Sequence, residues 1–325
     1  MSLIRSSLRI LNQNKALTRL PVFDQTRCFK RWVAPTLREL RRRQKKLGPQ
    51  LPQPRSGFVE WNYRAELFAF GKRLNEEFDL EMLQSAFTQA SYVQNEQLRQ
   101  RELGIMETDV VIKDNNELSE RGAYLANECV RAYLKHSFPN VPADGINAFT
   151  DYLLSTEMLS YIASYLGMNE LLLDGDYPPG QESLARSFLA VIGAIEQSNG
   201  QERAFLFIRD FVCTQMNQRD LLEIWNIDDP EVLLKQICEE RNLGEVEPRL
   251  IGECGKNTLL AAYHVGLYAN KKLIGKGFGE DVAIAIKVAS LNALQQIFCI
   301  QDNMRPLNFQ AHLKPVGQDA IEKLA

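Results

Sequence analysis

From Trp61 to Trp225 apolar residues recur at three- and four-residue intervals almost without a break. Leu80, Leu83 and Phe87 make one such stripe; Leu153, Leu154, Met158, Tyr161, Ile162, Tyr165 and Leu166 make another. That spacing puts the apolar side chains on one face of a helix, and it predicts an all-α domain. After Trp225-Asn226 the pattern changes. DPEVLLKQICEERN begins with an acid and a proline and carries Val232, Leu233 and Ile237 on one face, which predicts a helix. EPRLIGECG, NTLLAAYHVGLYAN and KKLIGKG predict three strands, with turns at Gly255-Lys256-Asn257 and at Asn270-Lys271. EDVAIAIKVASLNALQQIF (Glu280–Phe298) predicts a closing helix, so the fold class is α+β.

The first fifty-seven residues follow other rules. Met1–Phe23 carries Arg5, Arg9, Lys15 and Arg19 and no acid, and Ile4, Leu8 and Leu11 share a helical face. An arginine-rich, acid-poor amphipathic start is the pattern of a mitochondrial presequence, expected to span residues 1–30. Beyond it the chain stays basic, and residues 31–57 read as an arm and linker. Thr36 and Glu39 form a capping box, so a helix is expected to begin there. Arg38, Arg41, Arg42, Arg43, Lys45 and Lys46 leave it no wide apolar stripe, which suits it to lie along phosphates. Pro49, Pro52, Pro54 and Gly57 then break the chain.

Composition sharpens this division. Up to Gly57 there are fourteen Lys and Arg against Asp24 and Glu39, a balance of +12. Of 38 basic and 41 acidic residues in all, 24 and 39 remain for Phe58–Ala325, a balance of −15. A basic arm on an acidic body implies a polyanionic partner reached mainly through the arm. No run reaches the ~18 uncharged apolar residues of a membrane-spanning helix. The six cysteines are scattered without a Cys-x-x-Cys, and with three histidines they offer no zinc spacing, so they read as buried free thiols. His136, His264 and His312 lie in unrelated segments, and GKGFGED (Gly275–Asp281) lacks a phosphate-loop Lys-Ser/Thr. Its glycines are expected to serve a strand-to-helix turn at positive φ. No cofactor motif is present.

Four short motifs in order identify a resemblance. MLQSAFTQASY (Met82–Tyr92) resembles the Leu-Leu-x-x-Ala-Leu-Thr-His-x-Ser-Tyr segment of ribonuclease III proteins, with Gln89 in place of His. NELSERGAYLANECVRAYL (Asn116–Leu134) resembles their signature helix, Glu-Arg-Leu-Glu-Phe-Leu-Gly-Asp-Ser-Val-Leu. LLSTEMLSYIASYLGM (Leu153–Met168) and LARSFLAVIGAIEQSNGQERAFLFI (Leu184–Ile208) resemble two further segments of that family. The resemblance implies a ribonuclease III fold over residues 58–226.

That family holds Mg²⁺ with Asp and Glu from the signature helix and the Leu184–Ile208 helix, since a hard cation wants carboxylate and water oxygens. Here Arg186 stands at the second helix's Asp position and Leu189 at its Glu position. In the signature helix, Gly122 or Ala123 takes the Gly position and Ala123 or Tyr124 the Asp position; neither restores a carboxylate. Glu117 and Glu120 remain nearby, and Arg186 is expected to pair with one of them. No catalytic residue, no metal ligand and no hydrolysis are therefore expected.

Residues 227–299, in α-β-β-β-α order, resemble a double-stranded-RNA-binding domain, which reads A-form RNA by shape. The resemblance implies phosphate contacts from a Lys-Lys-x-Ala-Lys run at the start of the last helix. This chain has Val282, Ala283, Ile284, Ala285 and Ile286 there, with only Lys287 nearby, and Glu280 and Asp281 oppose a phosphate. Gly255-Lys256-Asn257-Thr258 replaces the minor-groove Gly-Pro-x-His loop. Lys271, Lys272 and Lys276 still offer a small basic edge for RNA, and Val282, Ile284 and Ile286 suit either a protein partner or the domain's own core. Residues 300–325 read as a tail that orders on binding.

A presequence, a metal-less ribonuclease III domain and a blunted RNA-binding domain together resemble the ribonuclease-III-like family of the mitochondrial ribosome's large subunit. That resemblance implies a structural role in the mitochondrial matrix. It also implies contacts with large-subunit ribosomal RNA and neighbouring mitochondrial ribosomal proteins, and pairing through the ribonuclease-III-like domain. The competing readings are a Mg²⁺-dependent double-strand-specific endoribonuclease and a non-ribosomal RNA-processing accessory factor.

Overall fold

The computed structural model describes residues 25–48, 55–104, 113–217, 219–256 and 258–300. The expected presequence up to Asp24 and the 300–325 tail, apart from Ile300, lie outside them. The chain divides into two compact units, Met1–Gln53 and Pro54–Ala325.

In the first unit, α1 spans Gln25–Leu47. It does not begin at the Thr36 capping box. Pro35 lies inside it, where a proline removes one backbone hydrogen bond and normally bends or ends a helix. Residues 35 to 46 are exposed throughout, so no apolar face of this segment is buried. Glu39 pairs with Arg42 at 3.9 Å and Arg43 at 3.6 Å, exposed pairs that contribute little.

The second unit opens with a short 3₁₀ turn at Arg55–Gly57 and continues as α2 (Tyr63–Leu74), α3 (Leu80–Ala86) and α4 (Ala90–Glu102). Then come α5 (Asn116–Ser137), α6 (Ala143–Leu153), α7 (Thr156–Tyr165), α8 (Gln181–Asn199), α9 (Gln201–Phe211) and the single-turn α10 (Leu221–Ile224). Local chemistry sets several starts: the side chains of Asn62, Asp79, Ser155 and Asp220 each accept a backbone N–H as N-caps. The stripe that ran from Leu153 to Leu166 is two helices, because Ser155 caps α7 after α6 has ended. Tyr161 and Tyr165 from that stripe are exposed, not core, with their rings 4.5 Å apart.

Helix α8 is the centre. Ala185, Phe188 and the whole run Ala190–Ile195 are buried, and α5, α7 and α9 surround them. Helix α5 meets α8 through glycine on both sides. A methyl group on Gly122 would collide with the backbone carbonyl of Leu189, and one on Gly193 with that of Leu118.

The rest of the unit is α11 (Pro230–Glu240), β1 (Val246–Cys254), β2 (Ala262–Ala269), β3 (Lys272–Gly279) and α12 (Val282–Phe298). The strands form one antiparallel sheet in the order β1-β2-β3. The tight turn between β2 and β3 uses Asn270 at φ 47° and Lys271 at φ 65°, the left-handed pair that a two-residue hairpin favours. Gly275, Gly277 and Gly279 are strand residues, not a positive-φ turn. Their missing side chains let α12 lie directly on β3, the inward positions facing the Ala285 and Ala289 backbones and Ala293. Val265, Leu267 and Ala269 complete that buried side.

One continuous core joins the helical part to the α-β-β-β-α part. The Trp225 ring sits 6.5 Å from Phe149 of α6 and 5.8 Å from Phe298 of α12. Arg241 donates to the Asn140 carbonyl at 2.8 Å and to the Ile297 carbonyl at 3.3 Å.

Cys129, Cys213 and Cys238 are buried free thiols, but Cys254 and Cys299 are exposed. Burial pushes the Cys129 thiol up to about 12 and raises Cys213 well above its ordinary value. Since the thiolate is the nucleophile, iodoacetamide at pH 8 is expected to label Cys254 and Cys299 in the folded protein. Cys129 and Cys213 should react only after unfolding, as read by peptide mass mapping. Gly122→Ala is expected to lower the urea stability by about 3 kcal/mol through overpacking. Gly180→Ala should leave it unchanged, because no atom lies within 4 Å of the added carbon.

Candidate functional site

The α5–α8 crossing is where a ribonuclease III fold would hold its metal. In either register of the signature helix no carboxylate stands at the family's Asp position. Gly122 is the buried glycine in contact with α8, and Ala123 beside it is half-buried. Tyr124 is 70% exposed on the helix surface. Glu117 and Glu120 are exposed, as is Arg186, while Leu189 is half-buried against the core.

Arg186 does not pair with Glu117 or Glu120; among the described residues none of the three has an ion-pair partner. The ion pair that clamps these helices is Arg121 to Glu196, with Nη2 to Oε1 at 2.9 Å. The two glycines set this, by bringing the backbones close enough for Arg121 to reach the far end of α8. Among the described residues no three His, Cys, Asp or Glu side chains converge to hold a metal ion. A divalent cation does not fit here: Ala123, Arg186 and Leu189 supply hydrocarbon and positive charge where carboxylate oxygens are needed.

Gln89, which stands where the ribonuclease III motif has His, is 4% exposed and structural. Its Nε2 donates to the Ser183 carbonyl at 2.8 Å and to Ser187 Oγ at 2.9 Å on α8. Asn115 Nδ2 meets the same Ser187 Oγ at 3.4 Å. The first motif is thus a polar latch holding the start of α4 to α8. Its signal in the sequence was an uncharged donor at a position that chemistry would have filled with imidazole.

In the α-β-β-β-α part the expected RNA contacts fall at two ends. The strand register pairs Cys254 with Ala262 and Tyr263 with Gly279, so the Gly255–Thr258 loop and the start of α12 share one end of the sheet. There Lys256 is tied to Glu253 at 3.4 Å, and Val282 and Ile284 are 44% and 46% exposed. Ile286 packs against the core, the second of the two expected roles, whereas Val282 and Ile284 do not. Lys271 and Lys272 lie at the opposite end, roughly 25 Å away along seven or so strand residues. Lys276 is exposed on β3 between the two ends. The arm cations Arg38, Arg41, Arg42, Arg43, Lys45 and Lys46 are exposed on α1.

The sheet also gathers residues that the sequence reading left apart. On the face away from α11 and α12, the Phe278 ring stacks on His264 at 4.1 Å and 12°. The Arg249 guanidinium lies 5.4 Å over the Tyr268 ring. The alternation Lys276–Phe278 opposite His264–Gly266–Tyr268 was the available signal, hidden because GKGFG reads as a turn.

Comparison with known proteins fits these features. Residues 62–195 match a family described as "Large ribosomal subunit protein mL44, endonuclease domain", and residues 225–324 match "MRPL44 dsRNA-binding domain". A "Large ribosomal subunit protein mL44" of Caenorhabditis elegans is 30% identical over 273 residues, 83% of this chain and 68% of that protein. The chain belongs to the mL44 family. Its likeness to "Ribonuclease 3" of Listeria welshimeri is 23% identity over 67% of this chain and 92% of that enzyme. The nuclease domain of ribonuclease III from Campylobacter jejuni aligns with a TM-score of 0.38 and 20% identity, covering 46% of this chain and 96% of that one. The mL44 family thus accounts for both parts of the second unit, the mostly helical domain and the small sheet with its terminal helix. No helix among the described residues is long and apolar enough to cross a membrane.

Arg186→Asp combined with Leu189→Glu is expected not to produce Mg²⁺-dependent cutting of duplex RNA, because neither Ala123 nor Tyr124 gives the signature helix its carboxylate. A gel assay with and without chelator checks this; chelator-sensitive products from the double variant would show that the register is misplaced.

Proposed function

We propose that this chain is a structural component of the large subunit of the mitochondrial ribosome, without nuclease activity. In this reading it binds large-subunit ribosomal RNA and neighbouring mitochondrial ribosomal proteins, and supports assembly and mitochondrial translation. The observation that carries the proposal is the α5–α8 crossing, where guanidinium and hydrocarbon replace the carboxylates of a nuclease while the fold around them is intact. A protein that keeps such a scaffold without its metal chemistry has kept its shape and surfaces. The mL44 relative, whose name places it in the large ribosomal subunit, supports the same reading.

The division of labour follows the charge. Residues 1–30 serve as the presequence, and the arm of residues 31–57 supplies the electrostatic grip through Arg38, Arg41, Arg42, Arg43, Lys45 and Lys46. Each phosphate neutralised releases counterions and steepens the salt dependence. Residues 58–226 form the inactive ribonuclease-III-like body, through which pairing also takes place, and residues 227–299 the RNA-binding-like domain with Lys271, Lys272 and Lys276 on one edge. The acidic body cannot coat RNA at large, so the arm and a few placed contacts direct it to one site in an anionic particle.

Sedimentation of a mitochondrial lysate through a high-salt gradient tests this. The protein is expected to travel with the large subunit, and a variant with the six arm cations changed to Ala should leave that peak at lower salt. Wild-type protein remaining at the top of the gradient would refute the proposal and favour an accessory role outside the ribosome.

A further inference from the structure

Apart from Lys276, the outer face of the three-stranded sheet has no use in the reading above. Its composition follows from the register. His264, Gly266 and Tyr268 of β2 lie beside Phe278, Lys276 and Leu273 of β3, and beside Gly252, Arg249 and Glu247 of β1. The buried, helix-facing side takes the alternate residues, so these point away from α11 and α12.

Two features separate this face from an ordinary solvated one. Phe278 is 64% exposed, yet one side of its ring is held by the stack on His264. Its position is therefore fixed while its other side stays open. Next, Ile251 and Leu273 lean over Gly266 from both flanks and join the His264–Phe278 pair to Tyr268 in one apolar strip. Leu273 and Ile251 are 40% and 47% exposed. The two aromatic stations are separated by four residues of β2, roughly 13 Å.

The charges around the strip favour a polyanion. Lys276 has no ion-pair partner among the described residues, and Lys271 and Lys272 stand at one end of β3. Arg249 caps the Tyr268 ring and is held by Glu247 at 2.8 Å, so the carboxylate on this face is already neutralised. Glu280 and Asp281 begin only past the end of β3. A fixed, half-open aromatic ring flanked by an unpaired ammonium is the arrangement that stacks an unpaired base and meets its phosphate. A duplex, whose bases are already stacked on one another, cannot use an open ring face in this way.

We infer that the outer sheet face, centred on Phe278 and Lys276, binds unpaired nucleotides of RNA by base stacking. This deepens the proposed ribosomal role by naming the RNA form that this domain holds, single-stranded rather than duplex. It also gives Lys276 a task distinct from that of the cations at the turn.

The test uses the full-length protein with a short iodouridine-substituted single-stranded RNA and with the same strand annealed to its complement. Binding is measured by anisotropy, at salt high enough to suppress the arm, and crosslinked peptides are mapped by mass spectrometry. The single strand is expected to crosslink to the Phe278 peptide. Phe278→Ala should remove that crosslink and weaken single-strand binding about tenfold, and Phe278→Tyr should retain both. Lys276→Ala, which leaves the stack intact, should lower the salt slope by about one. Unchanged binding by Phe278→Ala, crosslinks confined to the arm, or equal crosslinking of the duplex at Phe278 would each overturn the inference. The gradient experiment reads assembly and not base contact. A protein that travels with the large subunit while Phe278→Ala binds RNA normally would therefore sink this inference and leave the ribosomal role standing.

Discussion

The close approach of α5 to α8 constrains everything else in the second unit. Two glycines, one on each helix, let backbone meet backbone, and the buried run Ala190–Ile195 can then be enclosed on several sides. The same approach aligns positions 122, 123, 186 and 189, which in a nuclease would frame a metal. Here the approach is made by glycine, and no carboxylate stands at positions 123, 186 or 189. Packing and catalysis are separable in this fold, because glycine determines the approach while the neighbouring side chains determine what the approach can hold.

The small domain shows a second exchange of the same kind. Gly275, Gly277 and Gly279 thin β3 so that the alanines of α12 can settle onto it. That thinning leaves Lys276 and Phe278 as the strand's outward side chains. At the end of the sheet that would meet duplex RNA, Lys256 is engaged by Glu253 and α12 opens on apolar residues, with Lys287 the exposed cation of its second turn. Lys271, Lys272 and Lys276 lie on β3 and at the β2–β3 turn. The domain retains the shape of a duplex reader while its charge lies elsewhere.

Much of this was legible in the sequence. Helical periodicity, the order of four motifs and the change of pattern at Trp225 gave both folds, and the Asn270-Lys271 turn stands where the residue types put it. The identities of Arg186 and Leu189 were enough to argue against metal binding. What eluded the sequence depended on distance. The Arg121–Glu196 clamp could not be told from other charge pairs without the helix crossing, and Arg186 was wrongly matched with its nearest carboxylates. Tyr161 and Tyr165 fitted a buried stripe by spacing, but the Ser155 cap restarts the helix and turns them outward. The glycines of GKGFG looked like a turn because glycine in a strand makes sense only once the helix above it is known. The start of α1 was misplaced because a capping box and a proline are strong local signals, and here the helix continues through both.

Trp225 lies between Phe149 of the helical part and Phe298 at the end of the last helix, and Arg241 stitches the same seam from its other side. A linker residue has thereby become a rivet. Small domains on loose tethers sample many orientations and choose their target by diffusion, and this one lacks that freedom. Whatever its sheet touches is set at a fixed angle to the helical body, so the chain can act as a gauge between two points of a larger assembly. A swivel at the seam, created by removing that indole, would leave both halves folded and yet spoil the measurement they make together.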